Sequence, residues 1–190
     1  MSDTASAVHD KTKARRRGLF AGFARDRSGS TAIEFVMLVI PFSLLVFAIL
    51  ESCISFAGQQ VLSNAVDDVA RQLRTGQVKS KDVTKDWLEG KICERLEVIV
   101  ADGCPNLIVD LRSYPTFAAA ADVKLRLTGR EIDTTGISVT PGPAGTKNML
   151  RVFYKWPVIT DFMRASMSNL NGGYTLQFAS AIWQNEPFND

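Results

Sequence analysis

The chain has 190 residues, with 22 Lys and Arg against 20 Asp and Glu, and 46% of its residues are hydrophobic. That length holds one modest domain plus an appendage. Seven of the basic residues and only three of the acidic ones fall in residues 1–29, which leaves the rest slightly acidic and without an electrostatic footprint for nucleic acid.

Residues 1–28 are rich in Ser, Ala, Lys, Arg and Gly, and they read as a disordered leader. The twin arginines Arg16 and Arg17 are a weak export signal, because the apolar run begins some fifteen residues later. From Phe35 to Leu50 sixteen residues carry no charge, and the apolar character extends from Ala32 to Phe56. This approaches the roughly 20 residues needed to cross a hydrocarbon core of about 30 Å. A basic flank before such a segment places the N-terminus in the cytoplasm and the remainder outside it.

The apolar segment fades into an amphipathic stretch. In "GQQVLSNAVDDVARQLRTG", Val61, Leu62, Ala65, Val66, Val69, Ala70 and Leu73 recur at three and four, the spacing of one helical face. Gly76 is placed as a C-cap. One helix over 31–75 would be roughly 68 Å long at 1.5 Å per residue, with its second half outside the lipid and its stripe covered. Pro41 removes one backbone hydrogen bond and predicts a bend over Met37–Pro41. A second helix, starting at Ser80 or Asp82, is predicted from Val83, Trp87, Leu88, Ile92 and Leu96.

From Asn106 the period changes. "LIVDLRSY" and "VKLRL" alternate as half-buried strands do, and "ISVT" is a third such run. "PGPAGTKN" is a turn, while "MLRVFYKWPV" and "YTLQFASAIWQNEPF" are the best strand patterns in the chain. Between these two, "ITDFMRASMSNLNGG" predicts a short helix closed by glycines. The expected fold class is α+β: a long N-terminal transmembrane helix entering a small domain with a second helix and an antiparallel sheet of about three to five strands.

Of the three cysteines, Cys53 reads as a small buried hydrophobe, and Glu51 argues against a lipoprotein cleavage box around it. Cys93 and Cys104 would close a disulfide in an oxidising compartment, worth about 3 kcal/mol by chain entropy, or stay reduced in a cytosol. No histidine follows His9 and no CxxC occurs, so metal sites and histidine-based acid–base chemistry find no residues. "GPAG" lacks the Lys-Ser/Thr of a phosphate loop. Asp67 and Asp68, neighbours on a helix, point about 100° apart and read as a solvated face. Asp82 and Asp86 share a face of an exposed helix. The aromatic residues Tyr114, Phe117, Phe153, Tyr154, Trp156, Phe178 and Trp183 read as packing. No enzyme activity, cofactor or small-molecule substrate is expected.

The remaining anomaly is Glu34, an ionisable residue near the start of a membrane helix, where such groups are costly and commonly functional. Its simplest role is that of an interfacial carboxylate favoured by the helix dipole. The stretch Gly29-Ser30-Thr31-Ala32-Ile33-Glu34-Phe35, between a basic leader and an apolar helix, resembles the type IV prepilin processing signal. In that signal a glycine precedes the cut and a glutamate stands fifth after it; Phe35 next to Glu34 and Ser30 at the cut suit the Tad/Flp branch. With "GSTAIEFVMLVIPFSLLVFAILE", "YPTF", "MLRVFYKWPVIT" and the closing "NEPF", residues 27–188 resemble a TadE-like pseudopilin.

The resemblance implies a leader 1–29, a transmembrane helix 30–57 and a periplasmic domain 58–190. A prepilin peptidase would cut after Gly29, leaving Ser30 as the new N-terminus and Glu34 to set the assembly register. Removing the basic leader leaves an α-amine at Ser30, and pairing it with the Glu34 carboxylate of a neighbouring subunit relieves the cost of either charge in a low dielectric. Val36, Leu38, Val39, Phe42, Leu44, Leu45 and Phe47 would supply the apolar bundle contacts. Glu51 is expected to snorkel at the outer interface. Partners would be the peptidase, other pilins and pseudopilins, the Tad inner-membrane assembly platform and the membrane itself. The alternatives are an uncleaved single-pass protein with a periplasmic interaction domain, and a secreted protein cut after Ala57.

Overall fold

The computed structural model describes residues 30–188; the expected leader, with His9 and Gly29, lies outside them. Helix α1 (Ser30–Arg74) has 45 residues and is assigned without interruption through Pro41. The chain divides into two units, at Phe47 and Ala48. In the described part of the first, Thr31–Phe47 is helical and mostly exposed, consistent with a segment whose side chains are apolar on all sides.

The second unit opens with the rest of α1. Leu62, Ala65, Val66, Val69, Ala70 and Leu73 are buried, as their spacing predicts. The helix ends where Gly76 turns left-handed at φ 71°. There the Gly76 N–H donates to the Leu73 carbonyl and the Gln77 N–H to the Gln72 carbonyl, the paired bonds of a Schellman cap. A 3₁₀ turn at Ser80–Asp82 leads to α2 (Lys85–Leu96). The second helix therefore starts three to five residues later than the sequence predicts, because Thr84 accepts the Trp87 N–H at 3.2 Å and caps it. Asp82 and Asp86 consequently belong to different elements, both exposed.

Four strands form the main sheet in the order β4-β1-β5-β6: β1 (Leu107–Tyr114), β4 (Val139–Thr140), β5 (Lys147–Pro157) and β6 (Tyr174–Gln184). Strands β1, β5 and β6 are antiparallel, and the two-residue β4 runs parallel to β1, so the sheet is mixed. Helix α3 (Phe117–Ala121) follows β1, and α4 (Asp161–Met167) joins β5 to β6. The predicted strand "VKLRL" shrinks to β2 (Leu127–Thr128), which pairs only with β3 (Glu131–Ile132) in a separate ribbon. Alternation alone does not make a strand when no neighbour offers a ladder to join.

One face of the sheet, with Val109, Leu111, Leu150, Val152, Tyr154, Trp156 and Trp183, shares a core with the α1 stripe and with Leu88, Ile92 and Leu96 of α2. At Gly58 a Cβ would fall 2.5 Å from Trp156 Cζ3, so the helix approaches the tryptophan ring at a position only glycine leaves open. The opposite face carries a smaller cluster of Phe153, Ile132 and Leu170. Phe153 stacks on Phe178 with centroids 5.2 Å apart. Because both faces are covered, β5 is buried along almost its whole length rather than alternately.

The second face also hides a charge cluster that the sequence reading passed over. Asp110, fully buried, accepts from Arg151 Nη2 at 2.6 Å and Nε at 3.0 Å, from Arg112 Nη2 at 3.1 Å and from the Ser138 N–H at 3.1 Å. The chain end closes the unit. Asn185 accepts the Trp183 indole N–H at 2.7 Å and donates to the carbonyls of Gly142 and Pro143. The Glu186 N–H donates to the Arg74 carbonyl, and Phe188 lies against Gly76 so closely that a Cβ there would meet its ring at 2.5 Å. The "NEPF" ending is thus the latch over the C-terminus of α1.

Candidate functional site: the processing and membrane segment

The site read from the sequence is the first part of α1. Ser30 and Glu34 stand four residues apart on one helix, and such positions are neighbours on its surface. Glu34 and Phe35 are exposed, and Gly29 lies outside the described residues. Around them Phe35, Met37, Leu38 and Phe42 are each about two-thirds exposed or more. The helix is long and apolar enough to cross a membrane. An apolar surface this continuous is not stable in water and calls for lipid or other helices as its surroundings.

Glu51 departs from its expected place. It is not a snorkelling carboxylate: it is 8% exposed, and its Oε1 accepts the Ile159 N–H at 2.5 Å. The Thr160 N–H donates to both carboxylate oxygens at 3.3 Å, and the Thr160 hydroxyl donates to Oε2. These are the backbone donors just ahead of α4, so a side chain on α1 holds the chain at the entrance to a helix that begins 110 residues later. Further along α1, Gln177 donates to the Ser55 carbonyl at 2.9 Å. The Gln59 amide donates to the Phe178 carbonyl at 2.8 Å and accepts its N–H, standing in for a strand partner on the outer edge of β6. Residues 51–59 of α1 are therefore bolted to α4 and β6 by polar bonds, whereas residues 62–73 are held by apolar packing. Cys53, expected to be buried, is exposed, because the buried side of the helix here runs through Glu51 and, two turns on, Gly58.

Cys93 and Cys104 form the disulfide, with Cα atoms 5.7 Å apart, tying α2 to the turn before β1. Asp68 is bound by Arg71 Nη2 at 3.0 Å and by Arg95 Nη2 of α2 at 3.1 Å. The hydrogen bond from Arg71, with the charge of Arg95 beside it, holds the Asp68 carboxyl below its usual range despite some desolvation. Asp67 is exposed, as a solvated face requires. Tyr154 titrates higher than an ordinary phenol because it is buried, with Tyr174 adding to the effect.

Among the described residues no group of three or more His, Cys, Asp or Glu is placed to hold a metal. A cavity of about 700 Å³ is lined by Arg112, Lys124, Arg126 and Arg151 together with Asp122 and Asp133. Two of those arginines are already committed to Asp110, and Asp133 is taken up by the neighbouring Thr135, whose N–H it accepts at 2.9 Å.

The family model described as TadE-like protein matches residues 29–71 of the chain. The match covers residues 29–35, the apolar run and most of the buried stripe, and it bears out the TadE-like resemblance over that segment. No curated protein and no solved structure matches the chain.

Proposed function

We propose that this chain is a minor pseudopilin of a Tad/Flp-type pilus, made as an inner-membrane prepilin, cut after Gly29 by a prepilin peptidase and required for pilus assembly in adherence and biofilm formation. The observation that carries the reading is the family match from residue 29 to residue 71, which begins at the glycine of the motif and runs through one helix. The leader 1–29 would stay cytoplasmic, residues 30–57 would span the membrane, and 58–190 would fold in the periplasm. The basic leader supports that orientation by the positive-inside rule, and the Cys93–Cys104 disulfide supports an oxidising compartment.

After cleavage the Ser30 amine, largely protonated at neutral pH, meets the Glu34 carboxylate of an adjacent subunit and sets the axial register. Val36, Leu38, Phe42, Leu45 and Phe47, exposed on α1, then pack between subunits. The chain is a substrate of the peptidase and a component handled by the assembly platform, not a catalyst. Gly29→Ala in cells that carry the peptidase tests this: the wild-type chain runs faster on a gel than the variant, by the mass of the leader. Equal mobility would overturn the reading in favour of a permanent single-pass anchor.

A further inference from the structure

Ile159 and Phe162 are 74% and 65% exposed, an unusual cost for two large apolar side chains three residues apart. They flank Thr160, the residue that Glu51 holds by its backbone N–H and its hydroxyl. Glu51 is the first charged residue after the sixteen-residue run that ends at Leu50. Ser52, next to it, lies 3.9 Å from the sulfur of Met167 at the other end of α4. Both ends of α4 are thereby fixed to the helical turn where the apolar run stops. Apolar exposure also continues past that turn, with Ile54 at 51% and Phe56 at 72%. The exposed charges of α4 are paired with each other, Asp161 with Arg164 at 2.6 Å, and the Arg164 Nε–H is also spent on the Val158 carbonyl.

We infer that Ile159 and Phe162 enter the membrane–water boundary and form a second lipid contact that seats the domain on the outer leaflet. The occupant of this patch is the bilayer surface because Thr160, between the two side chains, is held by Glu51, the residue that follows the charge-free run of α1. The Glu51 carboxylate fixes it at the level where the charge-free run ends. A patch with an aromatic ring, a branched aliphatic side chain and no unpaired exposed charge beside them matches the headgroup–acyl boundary, where short amphipathic elements bury such side chains. Glu51 is then a depth gauge: it cannot enter the hydrocarbon without breaking its bonds to 159–160, nor can the domain lift away without withdrawing Phe162. The inference rests on the membrane-spanning reading of α1.

The test uses the full chain with Cys53→Ser, so that one introduced cysteine takes an environment-sensitive NBD label while the disulfide stays oxidised. Phe162→Cys, Leu44→Cys and Val98→Cys are labelled and placed at low protein density in phosphatidylethanolamine–phosphatidylglycerol vesicles. A parallel set contains phospholipid brominated near the top of the acyl chain. The label at 162 is expected to shift to the blue and lose about half its fluorescence to the bromines, while the label at 98, beside Asp68, keeps its own. A water-like, unquenched label at 162 together with a lipid-exposed label at 44 overturns this inference alone. A label at 44 that does not reach lipid overturns the membrane reading beneath it. Energy transfer between labelled copies at 162, without bromine quenching, assigns the patch to a second copy of the chain and also overturns the inference.

Discussion

The Glu51 carboxylate on α1 holds the backbone N–H and the hydroxyl of Thr160 at the entrance to α4, and Glu51 itself is 8% exposed. This joins the helical turn that follows the apolar run to the connection between β5 and β6. Glu51→Ala leaves the Ile159 and Thr160 donors without their carboxylate, and hydrogen bonds to charged groups carry about 1.5–3 kcal/mol each in such settings. The expected loss is about 2–3 kcal/mol in the detergent-solubilised protein, read by urea unfolding. Glu51→Gln keeps an acceptor oxygen and is expected to lose about half as much. Equal stability of wild type and Glu51→Ala would remove the latch.

Asp110 is the counter-charge for Arg151 and a hydrogen-bond partner of Arg112 and the Ser138 N–H. Removing one member of a buried pair strands the other charge, at a cost of about 3–5 kcal/mol. Asp110→Ala is therefore expected to unfold the domain or to lower its urea midpoint by the equivalent amount. The pair change to Asp110→Leu with Arg151→Met is expected to recover most of that loss, since neither charge is then left buried alone. The double variant being no better than the single one would contradict the account of this cluster.

Acid should weaken the tie between α1 and α2. Asp68 has a folded-state pKa below its ordinary 3.8, owing first to the Arg71 hydrogen bond and then to Arg95. A depressed pKa contributes stability above the unfolded value, lost as pH falls through the lower folded value. Part of the protein's stability is therefore expected to disappear below pH 3.8. Urea midpoints measured between about pH 4 and pH 2 should fall less steeply in Asp68→Asn than in the wild type. The same slope in both would rule out Asp68 as a contributor.

The elements that the sequence made legible are those governed by local chemistry. The buried stripe of α1 follows from apolar residues at three and four, its end from Gly76, and the α4 turn from Gly172 and Gly173, which adopt φ of 76° and 79°. The Cys93–Cys104 pair was open in the sequence between a disulfide and two free thiols, and the structure closes it. What was hidden depends on partners distant in the chain. Asp110 in "LIVDLRSY" looks like the polar half of an alternating strand until Arg151, 41 residues on, arrives beside it. Glu51 looks like an interfacial carboxylate until Thr160 reaches it. The signal that could have found Asp110 was weak but present: β5 reads "MLRVFYKW", so an arginine sits in an otherwise apolar run and must meet a counter-charge. Nothing near Glu51 in the sequence points to Thr160. The "VKLRL" pattern failed for the opposite reason, since its alternation is real but only Ile132 and Glu131 offer it a ladder.

Processing after Gly29 is the center of the account, and the N-terminus of the protein extracted from membranes is the measurement that tests it most directly. Intact mass with N-terminal sequencing should give Ser30 as the first residue, with the leader and its seven basic residues gone. A chain beginning at Met1 or Ser2 would contradict processing and leave an uncleaved membrane anchor. One beginning at Gly58 would mark an ordinary signal cut after Ala57 and contradict the assembly role of Glu34.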